Sequence, residues 1–234
     1  MDDLSEVKRA LGYGAVDRFV RDGMRLGLGT GSTAVWAARR VGELLAAGRL
    51  RGIRAVATSL QTDLESRALG IPMVTLNDKG LEEGLDLTID GADEVDGQRL
   101  LIKGGGGAML LEKIIAYASR RFLVIVDDSK LSSRLGERFP VPVEVVEAAV
   151  GPVIRALNRL GADAELRVGA RKAGPVVTDL GNLLIDARFR GPFDAVALES
   201  ELKLIPGVLD SGLFTRKRPE LLVGHAGGTL EYRE

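Results

Sequence analysis

Residues 87–117, LTIDGADEVDGQRLLIKGGGGAMLLEKIIAY, restrict the fold of this chain more than any other stretch. An apolar run ends in Asp90, a turn carries Asp93, Glu94 and Asp96, and a second apolar run reaches Lys103. Four consecutive glycines then lead into a helical pattern containing Glu112. The pattern predicts strand, turn, strand and helix, with glycine leaving the backbone open to close approach. In an open α/β sheet, ligands bind outside the carboxyl ends of the strands. Asp90, Asp93, Lys103 and Glu112 are thereby placed at strand ends or at a helix start, where such a site is built.

The flanking segments repeat the theme. A first helix is expected from Asp3, which with Glu6 has capping-box spacing, and its apolar face runs through Ala15, Val16, Phe19 and Val20. Strands follow at 24–28, 53–57, 73–76, 87–89, 100–102 and 122–126, with helices between several of them. This rhythm predicts a mostly parallel, Rossmann-like sheet flanked by helices. The wholly apolar run Phe122-Leu123-Val124-Ile125-Val126 suits a strand buried on both faces. From Pro140 the order becomes strand, helix, strand, strand, helix, strand, the ferredoxin-like split βαβ pattern. The expected organisation is a large α/β domain of residues 1–138 and 215–234 with an inserted ferredoxin-like α+β domain at 139–214.

After the first strand comes Gly29-Thr30-Gly31-Ser32-Thr33 and then a helix. Unpaired N–H groups and the positive helix end face such a turn, which makes it an anion site. The hydroxyls of Thr30, Ser32 and Thr33 add donors suited to a phosphate monoester, although a purely structural tight turn reads the same way. No lysine follows as a P-loop requires. The second strand ends in Thr58-Ser59-Leu60-Gln61-Thr62 rather than the acidic residue of a dinucleotide site, which favours a small phosphorylated ligand over NAD. Ser59 also fits as the cap of the next helix. Lys130, after Asp127-Asp128-Ser129, falls at the same sheet edge, where it binds phosphate or substrate oxygen or is a plain loop lysine. Lys8, on the first helix, reads from residues alone as a solvated side chain.

Composition removes several chemistries. The 234 residues carry 32 Lys plus Arg against 33 Asp plus Glu, a net charge of −1, so no basic excess points to nucleic acid. No apolar segment approaches the roughly 20 residues of a membrane helix, and the charged start MDDLSEVKRA lacks the apolar core of a signal peptide. Cysteine is absent, so disulfides and thiolate chemistry are excluded and a cytoplasmic location is the default. With one histidine, a Ser-His pair would have to use His225. Asp90, Asp93, Glu94 and Asp96 offer oxygen ligands to magnesium, but their spacing does not match a calcium loop.

Proton transfer remains. A carboxylate base, a lysine cation and helix-end amides suit removal of a proton beside a carbonyl and stabilisation of the enediolate. The helix dipole would lower the pKa of Glu112, and Asp90 and Asp93, if near, would raise it. The bland alternative is an acidic solvated turn followed by a surface glutamate.

The segments Gly29-Thr30-Gly31-Ser32-Thr33, Asp90-Gly91-Ala92-Asp93-Glu94, Lys103-Gly104-Gly105-Gly106 and Glu112-Lys113-Ile114-Ile115 together resemble the defining motifs of type A ribose-5-phosphate isomerase. Asp128-Ser129-Lys130, Val177-Thr178-Asp179 with Gly181-Asn182, and Ile205-Pro206-Gly207-Val208 extend the resemblance over essentially the whole chain. It implies interconversion of D-ribose 5-phosphate and D-ribulose 5-phosphate through an enediol, in the non-oxidative pentose phosphate pathway, with no metal and no organic cofactor. By position, Glu112 would be the base, and Lys103 with Gly104, Gly105 and Gly106 would stabilise the oxyanion. Asp90 and Asp93, with Gly91 and Ala92 between them, would handle ring opening and hydroxyl protons. Thr30, Gly31, Ser32 and Thr33, with Lys8 and Lys130, would surround the phosphate or neighbouring oxygens. The resemblance also implies a homo-oligomer, a dimer by preference. Two departures stand out: a fourth glycine, Gly107, and Leu180 where an asparagine is usual. A non-catalytic sugar-phosphate sensor and an acyl-CoA transferase relative share the general architecture, but a sensor has no use for Asp90, Asp93, Lys103 and Glu112 together, and a chain this short leaves little room for a CoA ester.

Overall fold

The computed structural model describes residues 3–170 and 173–234, and the cap expected of the Asp3 side chain lies outside what is described. In chain order the first elements are α1 (Asp3–Phe19), β1 (Arg25–Leu28), α2 (Ala34–Ala46), β2 (Arg54–Ala57), α3 (Leu60–Ala68) and β3 (Leu85–Asp90). Next come β4 (Glu94–Val95), β5 (Leu101–Ile102), α4 (Met109–Tyr117), β6 (Ser119–Asp127), β7 (Val141–Val145) and α5 (Val150–Arg159). The chain ends through β8 (Ala162–Leu166), β9 (Leu183–Phe189), α6 (Ala195–Lys203), β10 (Val208–Ser211), β11 (Leu213–Phe214), β12 (Glu220–Gly224) and β13 (Leu230–Arg233). They fall into two units, one of Met1–Gly91, Leu111–Lys130 and Pro219–Glu234, the other of Ala92–Leu110 and Leu131–Arg218. Residues 139–214, expected as the smaller domain, lie within the second unit, which also takes in 92–110, 131–138 and 215–218.

The first unit is built on a six-stranded sheet in the order β13-β12-β6-β3-β1-β2, parallel throughout except for β13, which pairs antiparallel with β12. The chain lays β2 on one side of β1 and returns to lay β3 on the other, so the strand order reverses between β1 and β3. In sheets of this kind that reversal is where ligands bind. Leu26, Leu28, Ala55, Leu87, Ile89, Leu123, Ile125 and Leu222 share a core with Val7, Leu11, Ala15 and Val16 of α1 and Ala37, Ala38 and Val41 of α2. The spacing of the α1 residues is that of one helix face turned toward a sheet. Gly27, between Leu26 and Leu28, faces the other way, where an added Cβ would lie 2.7 Å from Ile115 of α4.

The second unit holds a four-stranded antiparallel sheet in the order β10-β7-β9-β8. With α5 and α6 as connections this is the predicted ferredoxin-like arrangement. Val141, Val143, Val145, Ile185 and Ala187 pack with Val153 and Leu157 of α5 and Leu198 and Leu202 of α6, while Glu144 alternates to the opposite face. A second, three-stranded sheet runs β11-β5-β4.

Several local expectations change. Residues 73–76 form no strand; Met73 makes a single parallel bridge to Ala55. Glu94 is not in the acidic turn but in β4, where it is buried. The strand expected at 208–214 divides at Gly212, whose N–H donates to the Pro142 carbonyl (2.7 Å) and whose carbonyl accepts from the Lys103 N–H (2.9 Å), so the chain leaves one sheet and joins the other there. β13 adds a hairpin partner to β12 that no strand expected from the sequence covers.

Candidate active site

In the first unit the site begins where β1 stops. The Gly29 N–H continues the parallel ladder to the Ile89 carbonyl at 2.9 Å, bringing the turn against the end of β3. A Cβ on Gly29 would lie 2.2 Å from Asp90 Oδ1 and 2.5 Å from Asp90 Cα, so only glycine allows this approach. Asp90 is fully buried, and its Oδ1 accepts from the Thr30 N–H (3.1 Å) and the Gly91 N–H (2.7 Å). Two backbone donors on one oxygen hold the carboxylate in a single orientation at the strand-order reversal.

A knot of hydroxyls sits beside it. Thr30 Oγ1 lies 2.6 Å from Thr58 Oγ1 and 3.1 Å from Thr62 Oγ1, and donates to Ser59 Oγ at 2.8 Å. Ser59 both caps α3, accepting from the Thr62 N–H (3.1 Å), and joins this network. Thr62 closes the loop by donating to the Gly29 carbonyl at 3.1 Å. The end of β2 therefore braces the glycine turn with neutral groups, where a dinucleotide site would present a carboxylate. Thr33 stands at the N-cap position of α2 without a side-chain cap, and Ser32 is exposed and accepts from Lys8 Nζ at 3.0 Å. A cation from α1 and a helix N-terminus thus meet at the same turn, as an anion requires.

Glu112 also belongs to this unit. It is 6 % exposed in the first turn of α4, which contradicts the bland alternative of a surface glutamate. Lys130 closes the 3-10 turn Asp128–Lys130 directly after β6. His225 does not serve a serine: its ring nitrogens lie 3.2 Å from Asp128 Oδ2 and 3.2 Å from Glu231 Oε2.

The second unit holds Asp93, Lys103 and the glycines. The Asp93 N–H donates to the Ile102 carbonyl (2.9 Å), and Asp93 Oδ2 accepts from the Gly105 N–H (2.7 Å). A Cβ on Gly105 would fall 2.6 Å from Asp93 Oδ1, so a side chain there would push the Asp93 carboxylate from its place. Lys103 is 2 % exposed, and its ammonium lies 5.7 Å from the centroid of the Phe214 ring, within cation–π range. Glu94 accepts from the Gly136 (2.8 Å) and Arg138 (3.1 Å) N–H groups, and Asp96 Oδ1 from those of Gln98 (2.9 Å) and Leu100 (2.8 Å). The acidic run is spread over separate backbone contacts, and no group of three or more His, Cys, Asp or Glu among the described residues is arranged to hold a metal ion.

Two contributors escaped the sequence reading. Arg167, just past β8, donates from Nη1 to the Gly104 (2.7 Å) and Gly105 (3.3 Å) carbonyls. Glu144 explains the Thr178 and Asn182 motif: Thr178 Oγ1 and Asn182 Nδ2 both donate to its Oε1 at 2.9 Å. Alternation in β7 would have turned Glu144 away from the valines, but its partners lie 34 and 38 residues away, beyond any local pattern.

Residues 54–228 match the family model of ribose 5-phosphate isomerase A (phosphoriboisomerase A). The chain belongs to that family. Ribose-5-phosphate isomerase A of Thermosynechococcus vestitus is 48% identical over 234 residues, covering 100% of this chain and 98% of the relative. Among solved structures, ribose 5-phosphate isomerase A of Methanocaldococcus jannaschii aligns with a TM-score of 0.90 at 42% identity, covering 97% of this chain and 98% of that one. A D-ribose-5-phosphate isomerase in complex with phospho-erythronic acid aligns with a TM-score of 0.93 at 40% identity over 98% of both chains. The match to the isomerase family thus extends through residues 139–214. Among the described residues no helix is long and apolar enough to cross a membrane.

Proposed function

We propose that this chain is a ribose-5-phosphate isomerase, interconverting D-ribose 5-phosphate and D-ribulose 5-phosphate through an enediolate with Glu112 as the base. The observation that carries the reading is the burial of Asp90, Lys103 and Glu112, at 0, 2 and 6 % exposure, in a chain of this family. Buried ionisable side chains are costly, and they concentrate where chemistry uses them.

Opening of the furanose ring exposes the C1 aldehyde, with Asp90 and Asp93 relaying the hydroxyl proton. The Glu112 carboxylate takes the proton from C2, and the electron pair moves to form the C1–C2 double bond while charge collects on O1. Lys103 and the Gly104 and Gly106 amides bind that oxyanion, while the Gly105 N–H is held by Asp93. Glu112 then returns its proton to C1, the O2 proton passes to O1, and the ketose is complete. Thr30, Gly31, Ser32 and Thr33, with Lys8 and Lys130, hold the phosphate, while Gly91, Ala92 and Gly106 line the path of the sugar. The relative bound to phospho-erythronic acid supports this substrate class, since a four-carbon phosphorylated carboxylate resembles the enediolate with its two oxygens. The enzyme works without metal or organic cofactor, in the cytoplasm, as a homo-oligomer that light scattering is expected to report as a dimer.

The test is conversion of ribose 5-phosphate by the purified chain in EDTA, beside Glu112→Gln. Turnover is expected to persist in EDTA and to fall by about 10³-fold in the variant, in the range of a lost general base, while phospho-erythronate still binds. Activity abolished by EDTA and restored by magnesium would overturn the metal-free mechanism.

A further inference from the structure

We propose that Arg167, gripped by Asp186, is a positioning residue for the oxyanion-binding amides of the Lys103-Gly104-Gly105-Gly106 loop; this rests on the isomerase reading above. Consecutive glycines lose more backbone freedom on ordering than any other residues, so a loop of this composition needs external restraint to present its amides in one direction. The restraint is visible at one peptide. The Gly104 carbonyl accepts from Arg167 Nη1 at 2.7 Å, and the N–H of that same peptide, on Gly105, donates to Asp93 Oδ2 at 2.7 Å. A trans peptide points its carbonyl and its N–H in opposite directions, and the described residues include no cis bonds. Arg167 and Asp93 therefore hold this plane from both ends.

The next peptide is drawn the same way. The Gly105 carbonyl lies 3.3 Å from Arg167 Nη1, which turns the Gly106 N–H away from the guanidinium. The cation also polarises both peptides, strengthening the Gly105 N–H as a donor to Asp93 and the Gly106 N–H as a donor to the oxyanion. Arg167 in turn is fixed by a two-pronged contact to Asp186, with Nε to Oδ2 at 2.8 Å and Nη2 to Oδ1 at 2.5 Å. Both side chains are mostly buried, at 14% and 21% exposure, so the pair is not a loose surface bridge. It rests on the β8–β9 ladder, which the Arg167 N–H extends to the Leu184 carbonyl at 2.8 Å. Lysine cannot reproduce this arrangement, because it offers a point charge where guanidinium offers a planar fork.

The experiment uses the full chain and three variants, Arg167→Met, Arg167→Lys and Asp186→Asn, the last keeping size and shape should loss of the guanidinium prevent folding. Steady-state kinetics with ribose 5-phosphate are expected to show kcat reduced by about 10- to 100-fold in Arg167→Met, the range for lost outer-sphere support of a site, with KM within about threefold. Arg167→Lys is not expected to restore the rate, and Asp186→Asn is expected to fall between Met and the parent. Binding supplies the decisive readout. Affinity for 4-phosphoerythronate, whose carboxylate calls on the oxyanion amides, is expected to drop about tenfold, while affinity for erythritol 4-phosphate, which lacks it, stays within about threefold. Variants with parental kcat and a parental affinity ratio would overturn the positioning role, as would equal weakening of both ligands. A parent chain that never turns over ribose 5-phosphate sinks the isomerase reading and this role with it, whereas turnover in the parent matched by all three variants sinks this role alone.

Discussion

Gly29 and Asp90 show how much of the site depends on one missing methyl group. Placing a Cβ 2.5 Å from the Asp90 Cα forces backbone, not a flexible side-chain end, to move. Gly29→Ala is expected to cost about 1–3 kcal/mol, the usual range for overpacking, seen as a lower urea midpoint with an unchanged slope, together with a loss of kcat as Asp90 shifts. Glu144 supplies a pH test. Burial pushes its carboxyl above the usual range, against hydrogen bonds from Asn182 and Thr178 that pull it down, with Asp210 and Asp179 adding to the rise. A carboxyl whose folded pKa is raised binds more protons folded than unfolded, so its contribution declines as pH climbs from the unfolded value of about 4.5 through the folded one. Glu144→Gln keeps an acceptor for both donors and removes the titration. Its thermal midpoint at pH 7 is expected to be no lower than the parent's, with a shallower loss of stability between pH 4.5 and 7; a variant less stable at pH 7 than at pH 4.5 by the parental margin would contradict this.

Among the elements, α1 brings a cation to the glycine turn through Lys8 and Ser32. Lys8→Met is expected to raise KM for ribose 5-phosphate about tenfold with kcat within about threefold, the signature of binding lost equally from ground and transition states, and unchanged kinetics would remove Lys8 from the site. Periodicity made the long elements readable: β6, the α1 face and the ferredoxin-like order of β7 to β10 all follow from apolar spacing. It failed where elements are too short to carry a period. β4 and β11 have two residues each, so Glu94 reads as part of a turn although pairing with Ile102 makes it a strand residue, and Leu213-Phe214 reads as a continuation of the strand before it. The motifs named Asp90, Lys103 and Glu112 because glycine and charge cluster around them locally. Arg167 lacked any such neighbourhood: it acts on residues 62 and 63 positions away, and only strand pairing reveals it.

Across the molecule the chain passes between the two units four times, at 91/92, 110/111, 130/131 and 218/219. We propose residues 139–214 as an insertion in evolutionary terms, but their core is not self-contained, since Leu100 and Ile102 pack with Val141, Val143 and Leu213. Two fully buried large side chains are worth about 1.5–3 kcal/mol each, a large share of the marginal stability of a fragment this small. The isolated 139–214 peptide is expected to show no cooperative melt by circular dichroism, and a sharp transition would refute that. The strand order also sets a timetable for synthesis. β6 is complete at Asp127, but its outer neighbour β12 begins at Glu220. At about 5–20 residues per second, a ribosome needs roughly 5–20 s to supply that partner. Throughout that interval a nascent chain carries the Phe122–Val126 strand with one ladder edge open, a ready template for wrong pairing, so a segment buried on both faces in the finished enzyme is open to aggregation while it is being made.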